Sequence, residues 1–239
     1  MRLAKFLARA GIASRRRAED MIKTGRVHVN GIVVDQPQFR VQNGDSVTVD
    51  GKPVVEAEEK VYLLLHKPPG YISTVRDTHN RPTVMDLVKG IDQRLYPVGR
   101  LDADTSGVLL MTNDGELANR LTHPGYRVKK VYLAHVSGNP GKEALTRLEN
   151  GVEIEGRKAV PVAVRIVDRF EDKNETLLGI VLAEGRKRQV KKMCEAVGLP
   201  VKKLRRVEFA GIRTGSLPAG SFRHLTGREV EKLYRLVNL

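Results

Sequence analysis

The sequence predicts an α+β protein: a small αα-plus-hairpin module followed by a larger, mostly antiparallel mixed sheet with flanking helices. Three observations predict this class. Two short amphipathic patterns precede a β-hairpin signature within the first fifty residues. Beyond them, strand-like segments outnumber helical ones and follow each other too closely for regular βαβ units. Apolar residues make up 41% of the 239 residues, which is enough for a hydrophobic core.

The first module, residues 1–50, is predicted to contain two helices, a hairpin and a further strand. Apolar residues recur at helical spacing from Leu3 to Ala10 and indicate the first helix. Ser14 precedes the second helix, where its hydroxyl can cap an exposed backbone N–H. Asn30-Gly31 lies between two runs of β-forming residues and is typical of a tight hairpin turn. The further strand is predicted at residues 46–49.

The second domain, residues 60–239, follows a polar and acidic stretch, residues 51–59, that is predicted to be a linker. Its apolar runs are short, as expected of strands, and helices with recognisable ends lie between them. The predicted strands cover residues 61–65, 71–74, 108–111, 128–136, 160–167 and 177–182. Five helices are predicted, of which two cover residues 84–88 and 116–121. The third begins at Asn139-Pro140, and the fourth carries Val190, Met193 and Cys194 on its buried face. The fifth begins at a capping box formed by Thr226 and Glu229.

The charge balance points to a polyanionic partner. Lys and Arg number 42 against 28 Asp and Glu, which gives a formal charge of +14. No apolar run approaches the ~20 residues of a spanning helix, so no membrane association is expected. The single cysteine, Cys194, cannot form an internal disulfide, which favours a reducing, cytoplasmic compartment. Without metal-ligand spacing or a glycine-rich phosphate loop, no metal or cofactor is expected.

Two basic surfaces are predicted to bind nucleic acid. Three successive arginines at a helix start are unfavourable beside the positive end of the helix dipole unless an external anion neutralises them. From Gly185 to Val207 there are nine cations and one acid, for which a phosphate backbone is a natural counter-charge. A solvated charged face is the alternative for each surface. The first comprises Arg2, Lys5, Arg15, Arg16 and Arg17, and the second comprises Arg188, Lys191, Lys192, Lys202, Lys203, Arg205 and Arg206.

The candidate catalytic residues lie in a loop that leads into a buried strand. Asp102 could serve there as a nucleophile or a base, and Arg100 nearby would keep it ionised by lowering its pKa. A turn in which Asp and Ser cap their own backbone is the alternative. On the strand beginning at residue 127, alternation places Tyr132 on the same face as Lys130. That tyrosine either fills the core or stacks against a base.

These segments resemble the motifs of the RsuA/RluB family of ribosomal RNA pseudouridine synthases. Gly99-Arg100-Leu101-Asp102-Ala103-Asp104-Thr105-Ser106-Gly107 resembles the catalytic motif of that family. Lys67-Pro68-Pro69-Gly70, Lys130-Val131-Tyr132 and the segment from Glu184 to Val190 resemble three further motifs. The first module resembles an S4 RNA-binding domain. Within the family, the chain is most similar to the large-subunit RluB branch.

The resemblance implies isomerisation of uridine to pseudouridine in ribosomal RNA, in the 23S RNA of the large subunit. It makes Asp102 the nucleophile, Tyr132 the ring packed against the target base, and Arg186 the partner of the Asp102 carboxylate. Arg100 is predicted to contact the substrate, whereas Asp104 is predicted to have a structural role. Because the reaction involves neither redox chemistry nor phosphoryl transfer, no cofactor is expected. The expected target is a stem-loop or single-stranded loop, free or within a subunit precursor, and the protein is expected to be a monomer.

Three alternatives stay open at the level of sequence. The same chemistry could act on 16S RNA. A non-catalytic RNA-binding or ribosome-assembly factor would also carry a strong positive charge and an S4-like start. A DNA-binding regulator is less favoured, because a helix-turn-helix would not need the large α/β body.

Overall fold

The computed structural model describes residues 1–55 and 59–239. The chain divides into two compact units. The first comprises Met1–Val61 with the short segments Ile91–Leu95 and Asn113–Gly115, and the second comprises the rest. Part of the predicted linker, residues 56–58, lies outside the described residues. The predicted boundaries 1–50, 51–59 and 60–239 stay a prediction.

The first unit has the predicted helices and hairpin. The Ser14 hydroxyl accepts a hydrogen bond from the Arg17 N–H and caps the second helix. Asn30 and Gly31 have φ values of 52° and 79°, as a two-residue hairpin turn requires. The elements are α1 (Leu3–Arg9), α2 (Arg15–Lys23), β1 (Val27–Val29), β2 (Ile32–Val33), β3 (Val47–Val49) and β4 (Lys52–Pro53). The four strands form an antiparallel sheet in the order β2-β1-β3-β4.

The second unit is built on a nine-stranded mixed sheet. Its strands and those of a separate hairpin are β5 (Tyr62–Lys67), β6 (Tyr96–Pro97), β7 (Thr105–Thr112), β8 (Lys130–Ser137), β9 (Val152–Ile154), β10 (Arg157–Ala159), β11 (Ala163–Phe170), β12 (Glu175–Leu182), β13 (Val201–Phe209), β14 (Ile212–Arg213) and β15 (Phe222–His224). The main path of the sheet runs β11-β12-β8-β13-β7-β5-β15, with β14 paired to β13 and β6 paired to β7. The pairing of β13 with β7 is parallel, whereas the other pairs in this sheet are antiparallel. Strands β9 and β10 form a separate hairpin. The predicted α+β class with a mostly antiparallel sheet is therefore confirmed.

The helices are α3 (Gly115–Thr122), α4 (Lys142–Glu149), α5 (Gln189–Glu195) and α6 (Gly227–Leu236), and 3₁₀ turns lie at Val84–Leu87, Pro124–Tyr126 and Glu171–Lys173. In the described part of the chain, no helix combines the length and apolarity needed to cross a bilayer.

Three predicted elements are corrected by the structure. The predicted strand at residues 71–74 is a single bridge between Ile72 and Thr83, beside Pro82, which has no N–H to extend a ladder. The predicted helix at 84–88 is a 3₁₀ turn. The helix predicted to begin at Asn139-Pro140 begins two residues later, with Gly141 as its N-cap.

One glycine permits the contact between the two parallel strands. Gly107 on β7 pairs with Arg206 on β13 and has a φ of +111°. A Cβ atom at this position would lie 2.1 Å from the Arg206 carbonyl oxygen. Only glycine allows β13 to approach β7 this closely, and the contact fixes the backbone position of Arg206.

Candidate active site

A cavity of about 550 Å³ opens in the second unit where the loop before β7 meets β8 and β13. Its wall contains the predicted residues Arg100, Asp102, Tyr132, Arg186 and Arg188. A smaller recess of about 50 Å³ shares these five residues. The structure therefore brings the predicted nucleophile, the predicted stacking ring and three arginines to one site.

A buried lysine anchors the Asp102 loop. Lys67, at the end of β5, is 0% exposed, and its ammonium donates to four backbone carbonyl oxygens. The distances are 3.1 Å to the oxygens of Asp102 and Ala103, 2.8 Å to Thr105 and 3.0 Å to Pro68. Burial lowers the pKa of Lys67 to about 8, while the charges of Asp104 and Asp102 oppose this shift. The loop backbone is thus drawn around one positive charge.

A second anchor lies one residue before the aspartate. The Ser73 hydroxyl donates to the Leu101 carbonyl oxygen at 2.9 Å and accepts from the Leu101 N–H at 3.1 Å. Within the described residues, the Asp102 carboxylate itself has neither a hydrogen bond nor an ion pair. A half-buried carboxylate on a rigid backbone, with no donor on its oxygens, retains its lone pairs for a substrate.

Tyr132 lies where strand alternation predicts. Along β8 the buried side chains are Lys130, Tyr132, Ala134 and Val136, and Tyr132 is 8% exposed at the cavity wall. An aromatic ring in this position can cover one face of a base that enters the cavity.

The predicted partner of the Asp102 carboxylate is corrected. The Arg186 guanidinium donates to the carboxylate of Glu184 and to the carbonyl oxygens of Arg157 and Lys158, rather than to Asp102. Glu184 lies two residues before Arg186 in the chain, so its carboxylate accepts the guanidinium hydrogen bonds that the resemblance assigned to Asp102. Arg100 is exposed at the cavity wall.

Two predicted RNA-binding residues are buried instead. Lys191 is 5% exposed and forms an ion pair with Asp104 at 2.5 Å, which ties α5 to the Asp102 loop. Arg206 is 2% exposed, because neighbouring residues of β13 point to opposite sides of the sheet and Arg205 takes the exposed side. The structural role predicted for Asp104 agrees with its contact to Lys191.

The other predicted RNA-binding residues are at least partly exposed. In the first unit, α2 exposes the three successive arginines. In the second unit, Lys192 is paired with Glu155 and Lys202 with Glu175. Lys5 is also exposed. Within residues 1–55 and 59–239, the exposed members of the set that form no ion pair are Arg2, Arg15, Arg16, Arg17, Arg188, Lys203 and Arg205. Their contact with RNA stays a prediction.

Two further cations line the cavity: Lys130, which was not predicted as a site residue, and Arg206, which was predicted to contact RNA at the surface. Lys130 and Arg206 both lie over the Phe209 ring, with the Lys130 Nζ 5.6 Å and the Arg206 Cζ 4.8 Å from its centre. Burial and the like charge of Arg206 together lower the pKa of Lys130 to about 8, while the charge of Glu184 opposes this shift. The alternation that identified Tyr132 also places Lys130 on the cavity side.

Another part of the cavity wall is the loop of residues 76–81, which is stabilised by hydrogen bonds within the loop. The Asp77 carboxylate accepts from the backbone N–H groups of His79 and Arg81 and from the Arg81 guanidinium. These hydrogen bonds hold the pKa of Asp77 far below its usual range. Arg76 and Thr78 lie on the cavity side of this closed turn. Among the residues that the structure describes, no three His, Cys, Asp or Glu side chains cluster as metal ligands would.

Comparisons with known proteins agree with this fold and site. A family model described as RNA pseudouridylate synthase matches residues 61–196, and an S4 domain model matches residues 1–47. The ribosomal large subunit pseudouridine synthase B of Bacillus subtilis is 46% identical over 237 residues, covering 99% of this chain and 97% of that protein. An uncharacterized RNA pseudouridine synthase of Aquifex aeolicus is 46% identical over 241 residues, covering 100% and 96%.

A solved structure shares the fold along nearly the whole chain. The crystal structure of a pseudouridylate synthase superposes with a TM-score of 0.69 at 28% identity, covering 98% of this chain and 99% of the other. The fold and site define an RNA-modifying isomerase with an RNA-binding module. The chain belongs to the RsuA/RluB family of RNA pseudouridine synthases, which confirms the family indicated by its motifs.

Proposed function

We propose that this chain isomerises a specific uridine of 23S ribosomal RNA, with Asp102 as the nucleophile. The choice of RNA is supported by the Bacillus subtilis relative, which is named a large-subunit enzyme and is similar along almost the whole chain. The choice of nucleophile rests on one observation: among the described residues no donor contacts the Asp102 carboxylate oxygens, while Lys67 holds the Asp102 backbone at the cavity wall.

The reaction rearranges one glycosidic linkage. The N1–C1′ bond breaks, the base turns, the C5–C1′ bond forms, C5 loses its proton and N1 gains one. Asp102 attacks C1′ of the sugar or C6 of the base, or removes a sugar proton, and each route needs an ionised, accessible carboxylate. Tyr132 forms a wall against which the base turns. The cavity limits the access of water to a detached glycosyl group.

The target uridine must leave its stack before it can enter the cavity. Extrusion costs a few kcal/mol, which contacts to the neighbouring phosphates must offset. Arg100 and Arg188 at the cavity wall can make such contacts. The arginines of α2 would add contacts from the first unit. We extend the proposal to the division 1–50, 51–59 and 60–239, to a monomer, and to a cytoplasmic location in keeping with the single thiol of Cys194.

Tritium release from 5-tritiated uridine tests this proposal, because C5 loses its hydrogen only when the new bond forms. Transcripts of 23S and 16S RNA are compared as substrates. Wild-type protein is expected to release tritium from 23S RNA, and Asp102→Asn to slow release by about a thousandfold or more. Asp104→Asn removes the same charge from the same loop and is expected to retain release within about tenfold of wild type.

Each failure has a distinct meaning. Undiminished release by Asp102→Asn would refute the proposed nucleophile. Release from 16S RNA alone would refute the choice of subunit. Binding to 23S RNA without any release by wild-type protein would favour the non-catalytic assembly factor.

A further inference from the structure

The floor of the cavity holds two positive charges beside each other. Lys130 is 7% exposed and Arg206 is 2% exposed, and both side chains lie over the ring of Phe209. Their proximity is electrostatically unfavourable, since the charge of Arg206 lowers the pKa of Lys130. Placing two like charges out of water is costly unless an anion or a set of hydrogen bonds compensates.

The protein compensates these charges only in part. The Lys130 Nζ donates to the Val128 carbonyl oxygen at 2.9 Å, and the Arg206 Nε donates to the Val108 carbonyl oxygen at 2.8 Å. The Arg206 Nη2 is buried and has no hydrogen-bond partner among the described residues. Within that part of the chain, neither cation has a carboxylate within ion-pair distance.

Neither Glu184 nor Asp102 supplies a carboxylate partner to the two cations. Glu184 acts on the charge of Lys130, but its carboxylate already accepts from Arg186 and, at 2.7 Å, from the Gln189 side chain. The charge of Asp102 acts on Lys67. No other carboxylate among the described residues pairs with these two cations, so we expect the compensating anion to come from the substrate. A uridine nucleotide in RNA is neutral in its base and sugar, so its anionic group is the phosphate.

We propose that Lys130 and Arg206 bind a phosphate group attached to the target uridine and so position the nucleotide in the cavity. A phosphate oxygen offers charge-assisted hydrogen bonds to both side chains, and its charge replaces their mutual repulsion by attraction. Gly107 takes part indirectly, because its missing side chain lets the Arg206 backbone lie against β7. This inference rests on the proposed function, since it assumes that uridine enters the cavity.

Binding of mononucleotides tests the inference without catalysis. Uridine, 5′-UMP, 3′-UMP and inorganic phosphate are titrated into the full-length protein and followed by NMR. Wild-type protein is expected to bind one of the two UMP isomers at least about tenfold more tightly than uridine, and the preferred isomer identifies the phosphate that is held. Inorganic phosphate is expected to compete with that isomer.

The variants Lys130→Gln and Arg206→Gln are expected to reduce the ratio between UMP and uridine to about one. Arg213→Gln on β14 makes the same change of charge at an exposed position and should leave the ratio unaltered. If Arg206→Gln does not fold, Lys130→Gln and the wild-type comparison still decide the matter.

Equal affinities of wild-type protein for uridine and both UMP isomers, or no detectable binding of any of them, would overturn the inference. So would a ratio that survives Lys130→Gln. A protein that prefers UMP but releases no tritium from RNA would contradict the proposed function alone, whereas release of tritium with no preference for UMP would contradict the phosphate site alone.

Discussion

Replacing Gly107 by alanine tests how closely β7 and β13 must approach. The added Cβ would lie 2.1 Å from the carbonyl oxygen of Arg206, 2.8 Å from its carbonyl carbon and 2.9 Å from its nitrogen. All three atoms belong to the backbone, so no side-chain rotation can relieve the contact. The parallel pairing of Leu204 with Thr105 through Arg206 with Gly107 would have to separate.

The magnitude follows from two contributions. A side chain at positive φ costs about 1–2 kcal/mol, and overpacking that must be relieved by backbone movement costs about 1–3 kcal/mol or more. We therefore expect Gly107→Ala to destabilise the second unit by about 4 kcal/mol. Gly198→Ala is the matched control, because Gly198 also has a positive φ, +76°, but has open space around its Cβ position. At position 198 the cost of a side chain at positive φ applies, but the cost of overpacking does not.

Calorimetry measures the two variants in the same unfolding transition, since both glycines lie in the second unit. A difference of about 3 kcal/mol between them corresponds to roughly 6–12 °C in Tm for a unit of this size. Gly107→Ala is also expected to release tritium more slowly, because it displaces Arg206. Equal Tm shifts for the two variants would refute the argument that close approach, rather than φ alone, requires glycine.

Three further predictions concern the buried cations. Lys67→Met removes the donor shared by four carbonyl oxygens and should lower kcat for tritium release at least about a hundredfold with little change in KM, since it loosens the loop rather than the substrate contacts. For Lys130, whose pKa is about 8, charge is lost as pH rises through that value, so KM should rise above pH 8. Lys130→Arg, which stays charged, should abolish that rise; persistence of the rise in KM would point to another group. Asp104→Asn should lower Tm more than Lys191→Met, because Asp104→Asn leaves the Lys191 side chain, only 6% exposed, without its anion. Lys191→Met instead leaves the Asp104 carboxylate, whose side chain is 66% exposed, in contact with water. A larger loss of Tm in Lys191→Met would contradict this prediction.

Local patterns predicted the elements whose periodicity or capping is strong. The alternation of β8 placed Tyr132 and Lys130 on one face, and the apolar spacing around Met193 predicted α5. The pair Asn30-Gly31 predicted its hairpin turn. Each of these signals lies within a few neighbouring residues, so the rest of the fold did not have to be known. The bridge at Ile72 differs, because its partner and the proline that ends the pairing are distant from it in sequence.

The partners of the charged side chains could not be predicted in the same way. Arg186 donates to Glu184 and to two carbonyl oxygens of the β10 region, and this depends on how distant segments pack. Lys67 ends an apolar strand, which predicts burial of its stem but not the four carbonyl oxygens around its ammonium. Strand alternation places Arg205 and Arg206 on opposite faces of β13. The prediction of an RNA-binding surface used only the density of positive charge, so it did not separate the exposed Arg205 from the buried Arg206.

This distinction changes what the basic segment around α5 and β13 can do for RNA binding. Only cations near the surface release counterions when RNA binds, and each such contact adds to the salt dependence. Lys191 is held by Asp104, and Arg206 lies in the cavity floor. On β13 Lys202 is exposed but paired with Glu175, so Lys203 and Arg205 remain as its exposed cations without an ion pair among the described residues. Changing these two to glutamine should reduce the salt dependence of RNA binding more than changing Lys191 does. The buried cations act instead on the position of the loop and of the nucleotide, so their effect should appear in catalysis and mononucleotide binding, where salt screens them less.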